Sequence, residues 1–166
     1  MNIRSCAAST VLIFLLCMLS GCAGKSAFLS VQICLGNEQN VALFKDTMRS
    51  ISQAHNIGFV DNSAASQEES IDLKIKQEYP MVMTGAVRKD GVGWLASNSG
   101  LSRYEVLLGF FDGSNPAEAH RFADLVVREL KKKWPVYVVP TGRGALPMKD
   151  CRGRSVAPAA PSSAPT

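Results

Sequence analysis

From Ala27 to Leu35 apolar and polar residues alternate. Ala27, Leu29, Val31, Ile33 and Leu35 fall on one side, and Ser30, Gln32 and Cys34 on the other. A period of two is that of a β-strand with one face buried. The period changes at Asn37, a good helix N-cap followed by Glu38 at the positive end of the dipole. Val41, Phe44, Met48 and Ile51 then recur at helical spacing, with His55 at the end. Asn56-Ile57-Gly58 predicts a stop, residues 57–60 a second short strand, and the polar run 61–70 an exposed loop.

Beyond that loop the alternation predicts a meander. Ile71, Leu73, Ile75 and Tyr79 interleave with Asp72, Lys74, Lys76 and Glu78, the pattern of a strand with one wet face. Residues 81–88 form the next expected strand, and Asp90-Gly91 supplies hairpin chemistry. Residues 92–97 return, Asn98-Ser99-Gly100 turns again, and residues 103–111 follow with Tyr104, Val106, Leu108 and Phe110 on one face. The second helix has the clearest start in the chain: Asn115 as cap, Pro116 at the first helical position, and Glu118 at the capping-box position. Its apolar stripe is Ala119, Phe122, Val126 and Leu130, and it ends in Lys131-Lys132-Lys133-Trp134-Pro135 before a short strand, residues 136–139.

Two amphipathic helices and a sheet with one apolar face bury against each other. The expected fold class is therefore α+β, a two-layer sandwich of mostly antiparallel sheet with both helices on one face. A ferredoxin-like variant is one way to build it, and the sequence does not order the strands.

Ahead of this domain, Arg4 precedes an apolar stretch, residues 11–19, too short to span a bilayer as a mature helix. Leu19-Ser20-Gly21-Cys22 closes it. An aliphatic residue, two small residues and a cysteine resemble the lipobox of bacterial lipoproteins. The resemblance implies that residues 1–21 are a signal peptide and that Cys22 is the lipidated mature N-terminus. It also implies a partner, the lipid bilayer, entered by the Cys22 acyl chains; two or three such chains give stable anchoring where one is marginal. Ala23, in place of Asp, implies the outer membrane, facing the periplasm. Gly24-Lys25-Ser26 looks like the end of a phosphate-binding loop, but Leu19 stands where its first glycine belongs. Residues 22–26 are read as lipidated terminus and tether, 27–151 as one periplasmic domain, and 152–166 as a disordered Ala/Pro/Ser-rich tail.

Composition narrows the partners. The formal charge of +4 falls to +3 when Arg4 leaves with the signal, too little to indicate nucleic acid. Cys6 and Cys17 leave with the signal and Cys22 is acylated, so Cys34 and Cys151 remain, an expected disulfide in an oxidising compartment. Because Cys34 is in the polar phase of its strand, such a bridge draws the C-terminal segment across the back of the sheet. The alternative is two unpaired thiols.

Candidate chemistry is sparse. The two imidazoles, His55 and His120, sit on helices, His120 four residues from Asp124 as in a surface pair. There is no His/Cys/carboxylate group at metal-ligand spacing and no G-x-S-x-G elbow. The expectation is no catalytic residue, no metal and no cofactor. Binding is the better reading, with Arg88, Lys89, Trp94 and Tyr104 as the candidate contact surface, since Trp, Tyr and Arg dominate hot spots. The competing reading places Trp94 at the edge of the core. The basic run after Arg128 suits a helix C-terminus and also anionic headgroups. The expected function is a non-enzymatic envelope lipoprotein that binds or braces an envelope protein. The alternatives are a periplasmic immunity-type inhibitor of a toxin and, third, a small hydrolase.

Overall fold

The computed structural model describes residues 26–75, 79–98, 101–141, 144–146 and 151. The signal peptide, Cys22 and the tail 152–166 lie outside the described residues. Nine elements follow in order: β1 (Leu29–Cys34), α1 (Glu38–Ala54), β2 (Gly58–Asp61), α2 (Ser63–Asp72), β3 (Met83–Val87), β4 (Val92–Ser97), β5 (Glu105–Asp112), α3 (Pro116–Lys131) and β6 (Val136–Val139).

The strands form one six-stranded sheet in the order β2-β3-β4-β5-β1-β6, and every neighbouring pair is antiparallel. The fold is therefore α+β, with helices packed on one face, as the pattern predicts. β5 and β6 flank β1, so α3 carries the chain over β1; α1 likewise carries it from β1 to the far edge at β2. Two such split crossovers resemble a ferredoxin-like plan, widened here by the β3–β4–β5 meander.

Both long helices start where their caps dictate. Asn37 Oδ1 accepts from the Asn40 N–H at 2.9 Å, and Asn115 Oδ1 accepts from the Glu118 N–H at 3.3 Å. Asn56, at φ 54°, takes the left-handed turn that ends α1. Phe44 and Met48 from α1 and Phe122, Ala123, Val126 and Leu130 from α3 meet Val31, Ile33, Val106, Leu108, Trp94 and Phe110 of the sheet in one core.

The region 61–79 departs from expectation. Residues 63–72 are a helix, not a loop, and Ile71 begins no strand. Ala64, Ala65, Gln67, Glu68 and Glu69 are strong helix formers, and that propensity prevails over the polar character of the run. Asp61 starts the turn, accepting from the Ser63 N–H at 3.0 Å. The alternation at Ile71, Leu73 and Ile75 marks no buried face: they are 66%, 63% and 56% exposed, and Lys74 between them is left-handed at φ 56°.

The two faces of the sheet differ. On the side away from the helices, Gln32 and Glu105 are buried although they point out of the core. Gln32 exchanges two hydrogen bonds with the Leu146 backbone, donating Nε2–H to its carbonyl at 2.9 Å and accepting from its N–H at 2.6 Å. Cys151 lies beside Cys34 at disulfide-bonding distance, with Cα atoms 5.4 Å apart. Leu146 and Cys151 thus lie against the back of β1, beside Glu105 of β5. The β2–β3–β4 half has no such cover among the described residues.

Candidate interaction surface

Trp94 is on the helix-facing side of β4, paired with Ala86 on β3 and Phe110 on β5, and it is 2% exposed. Its indole N–H reaches across the core to Ser52 Oγ of α1 at 3.0 Å. The place of Trp94 in the candidate contact surface is therefore corrected: it is a core residue, because the Val92-Trp94-Ala96 phase of β4 faces the helices.

Arg88 is occupied as well. Its Nε donates to Asp90 Oδ1 at 2.9 Å and a second guanidinium N–H to Asp90 Oδ2, while the third nitrogen donates to Glu118 Oε1 at the start of α3. Hydrogen bonds from Arg88 hold both the Asp90 and the Glu118 carboxyls below the ordinary carboxylate range. The Arg88 guanidinium is correspondingly raised by its bonds to Glu118 and Asp90. The hairpin that Asp90-Gly91 turns is thus clamped to the α3 N-terminus. It also rests on the β5–α3 connection, where Gly113 at φ 56° would place a Cβ 2.2 Å from the Asp90 carbonyl. Lys89 is exposed at the tip of this turn.

Tyr104 precedes β5 at the Cys34 end of β1, where its carbonyl accepts from the Leu35 N–H at 2.8 Å. Arg103 lies over its ring, 5.4 Å from the centroid. Arg88 and Lys89 follow β3, two strands over from β5, so the four residues do not converge on one patch. His120 stacks on Phe28 at 4.2 Å, and His55 meets the Phe122 ring edge-on at 5.5 Å, both on the exposed surface. No three His, Cys, Asp or Glu side chains gather at a metal-holding distance among the described residues.

The open surface is elsewhere, on the uncovered half of the back face. Val60, Val87 and Leu95 are 52%, 64% and 47% exposed there, and Met83 and Phe111 are half-buried beside them. They line a shallow depression of about 370 Å³. Glycines make its floor. Gly93 faces the back of the sheet, and a Cβ there would lie 2.2 Å from the Ala86 carbonyl, so β3 and β4 close over a bare backbone. Gly85 is opposite Leu95 in the register, and the Leu95 side chain leans over it. The sequence signal for this patch is Leu95, an apolar residue in the polar phase of β4.

Val60, Val87 and Leu95 thus form an apolar patch on a sheet face that Leu146 and Cys151 cover elsewhere, the kind of feature that makes a candidate contact surface. Among the described residues no helix is long and apolar enough to cross a membrane. Comparison with known proteins returns no matching family model and no matching curated relative.

Proposed function

We propose that the chain is an envelope lipoprotein, anchored through acylated Cys22, whose domain binds another envelope protein without catalysing a reaction. The observation that carries this reading is the bare apolar half of the back face, beside a half on which Leu146 and Cys151 lie. Val60, Val87 and Leu95 offer a partner an apolar contact, and the pairing of Cys34 with Cys151 as a disulfide in an oxidising compartment keeps the other half closed. Anchoring confines both partners to one surface, so a modest interface suffices. Ala23 favours outer-membrane placement facing the periplasm over the inner membrane or the cell surface.

The test is crosslinking in intact cells, followed by capture and mass spectrometry, for the wild type, Cys22→Ser and Leu95→Asp. One envelope protein enriched with the wild type and lost with both variants supports the reading. Capture unaffected by Leu95→Asp overturns the assigned surface, and membrane retention of Cys22→Ser overturns the anchor. A secreted toxin as the enriched partner replaces bracing by inhibition.

A further inference from the structure

The helical layer stops short of the sheet edge at β6. Between α3 and that edge a groove of about 460 Å³ opens, within the roughly 300–1,000 Å³ common for small-molecule sites. Its floor is aliphatic: Leu29 and Val31 from β1, Val127 from α3 and Val138 from β6. Val138 is opposite Val31 in the register and points to the helix side, yet it is largely exposed because no helix among the described residues covers it. The rim is charged, with Arg128 and Lys131 on α3 beside one carboxylate, Asp124. Lys132 is bound to Glu129 at 2.7 Å, whereas Arg128 and Lys131 form no ion pair with a described residue.

We infer that this groove takes an anionic phospholipid of the leaflet that holds the anchor, its phosphate against Arg128 and Lys131 and an acyl chain along Leu29, Val31, Val127 and Val138. The inference rests on the proposed acylation of Cys22. Two observations select a lipid over other occupants. The aliphatic floor and cationic rim match the two ends of an anionic amphiphile, and Asp124 is outnumbered. The groove also begins at Leu29, seven residues from Cys22, a span of at most about 25 Å when fully extended. A chain anchored at Cys22 therefore carries this corner of the domain to the headgroup layer. The β2 edge is five strand spacings from β6, about 24 Å across the sheet.

The experiment uses protein purified from membranes and reconstituted into phosphatidylglycerol or phosphatidylcholine vesicles whose acyl chains are brominated. Val138→Trp reports the groove and Val60→Trp the opposite edge; both positions are exposed, so a tryptophan is accommodated at each. The expected result is bromine quenching of the added emission at position 138 at least about twofold greater than at 60 in phosphatidylglycerol. The difference should shrink in phosphatidylcholine and in an Arg128→Gln/Lys131→Gln background. Equal quenching at the two positions, or quenching indifferent to the charge substitutions, overturns the assignment. Intact mass of the same sample separates the two claims. Acyl chains on Cys22 without preferential quenching remove the groove and leave the anchor. An unacylated chain removes the anchor and, with it, the geometry that brings the groove to the bilayer.

Discussion

Trp94 of β4 donates its indole hydrogen bond to Ser52 Oγ of α1, 3.0 Å away, with both residues buried. The bond joins helix layer to sheet layer at the centre of the core. Trp94→Phe keeps an aromatic ring but removes the indole N–H with some core volume, leaving the Ser52 hydroxyl without its donor in a site that water does not reach. A loss of about 1–3 kcal/mol is expected in denaturant unfolding. The double variant Trp94→Phe/Ser52→Ala should recover part of it, since removing both partners spares the unsatisfied group. Partner capture by Trp94→Phe should match wild type once the protein is folded.

Gly93→Ala should be at least as damaging, although it adds one methyl group on the solvent side. The new Cβ would lie 2.2 Å from the Ala86 carbonyl and 2.9 Å from Val87 Cα, and backbone cannot rotate out of the way. Overpacking of this kind costs roughly 1–3 kcal/mol. Chemical denaturation of the variant measures it; wild-type stability would mean that β3 and β4 separate freely.

The Cys34–Cys151 pair closes a loop with a sequence separation of 117. In the chain-entropy model a bridge here stabilises by about 4–5 kcal/mol, and losing a native bridge typically costs about 2–5 kcal/mol. Cys151→Ser should therefore melt well below the wild type without reductant, and the two should coincide in its presence. Peptide mapping that finds both thiols free would remove the bridge.

Acid should loosen the hairpin clamp. Asp90 and Glu118 are held below the ordinary carboxylate range in the folded chain by hydrogen bonds from Arg88. Their contribution is present above the unfolded carboxylate pKa and is lost as pH falls through the depressed native values. Arg88→Gln removes the cause, so the melting-temperature gap to wild type should be widest near neutrality and close in acid. The groups are partly open to solvent, which screens them, so the gap is small and should narrow further in high salt.

Leu95→Asp should leave stability nearly unchanged, within about 0.5 kcal/mol, because the side chain is half in solvent. It should abolish capture of the partner. A large drop in melting temperature instead would show that Leu95 holds the sheet together across Gly85.

The parts legible in the sequence are those that local chemistry decides. Asn37 and Asn115 cap helices by bonding to backbone three residues on, and Asp90-Gly91 turns within a few residues. The β1 phase also foretold that Cys34 faces the back of the sheet. Long-range partners decide the rest. Trp94 is core because Ser52, 42 residues away, receives its N–H, and Arg88 is occupied because Glu118, 30 residues away, folds beside it. The Ile71-Leu73-Ile75 alternation misled because a helix end and a left-handed Lys74 give the same spacing with no sheet beneath. The uncovered back-face patch needed the register that sets Leu95 against Gly85.

β1 lies between β5 and β6, bonded to one over Leu29–Cys34 and to the other over Ser30–Ile33. Under the proposed anchoring it is also the strand nearest the membrane in sequence. Tension between envelope and partner thus enters along the axis of an interior strand and loads two ladders in parallel, in shear. Cys34, at the far end of that strand, lies at bonding distance from Cys151, and a bridge there would act as a stop against its withdrawal. Anchored in this way, the domain would resist a pull through the strongest part of its sheet.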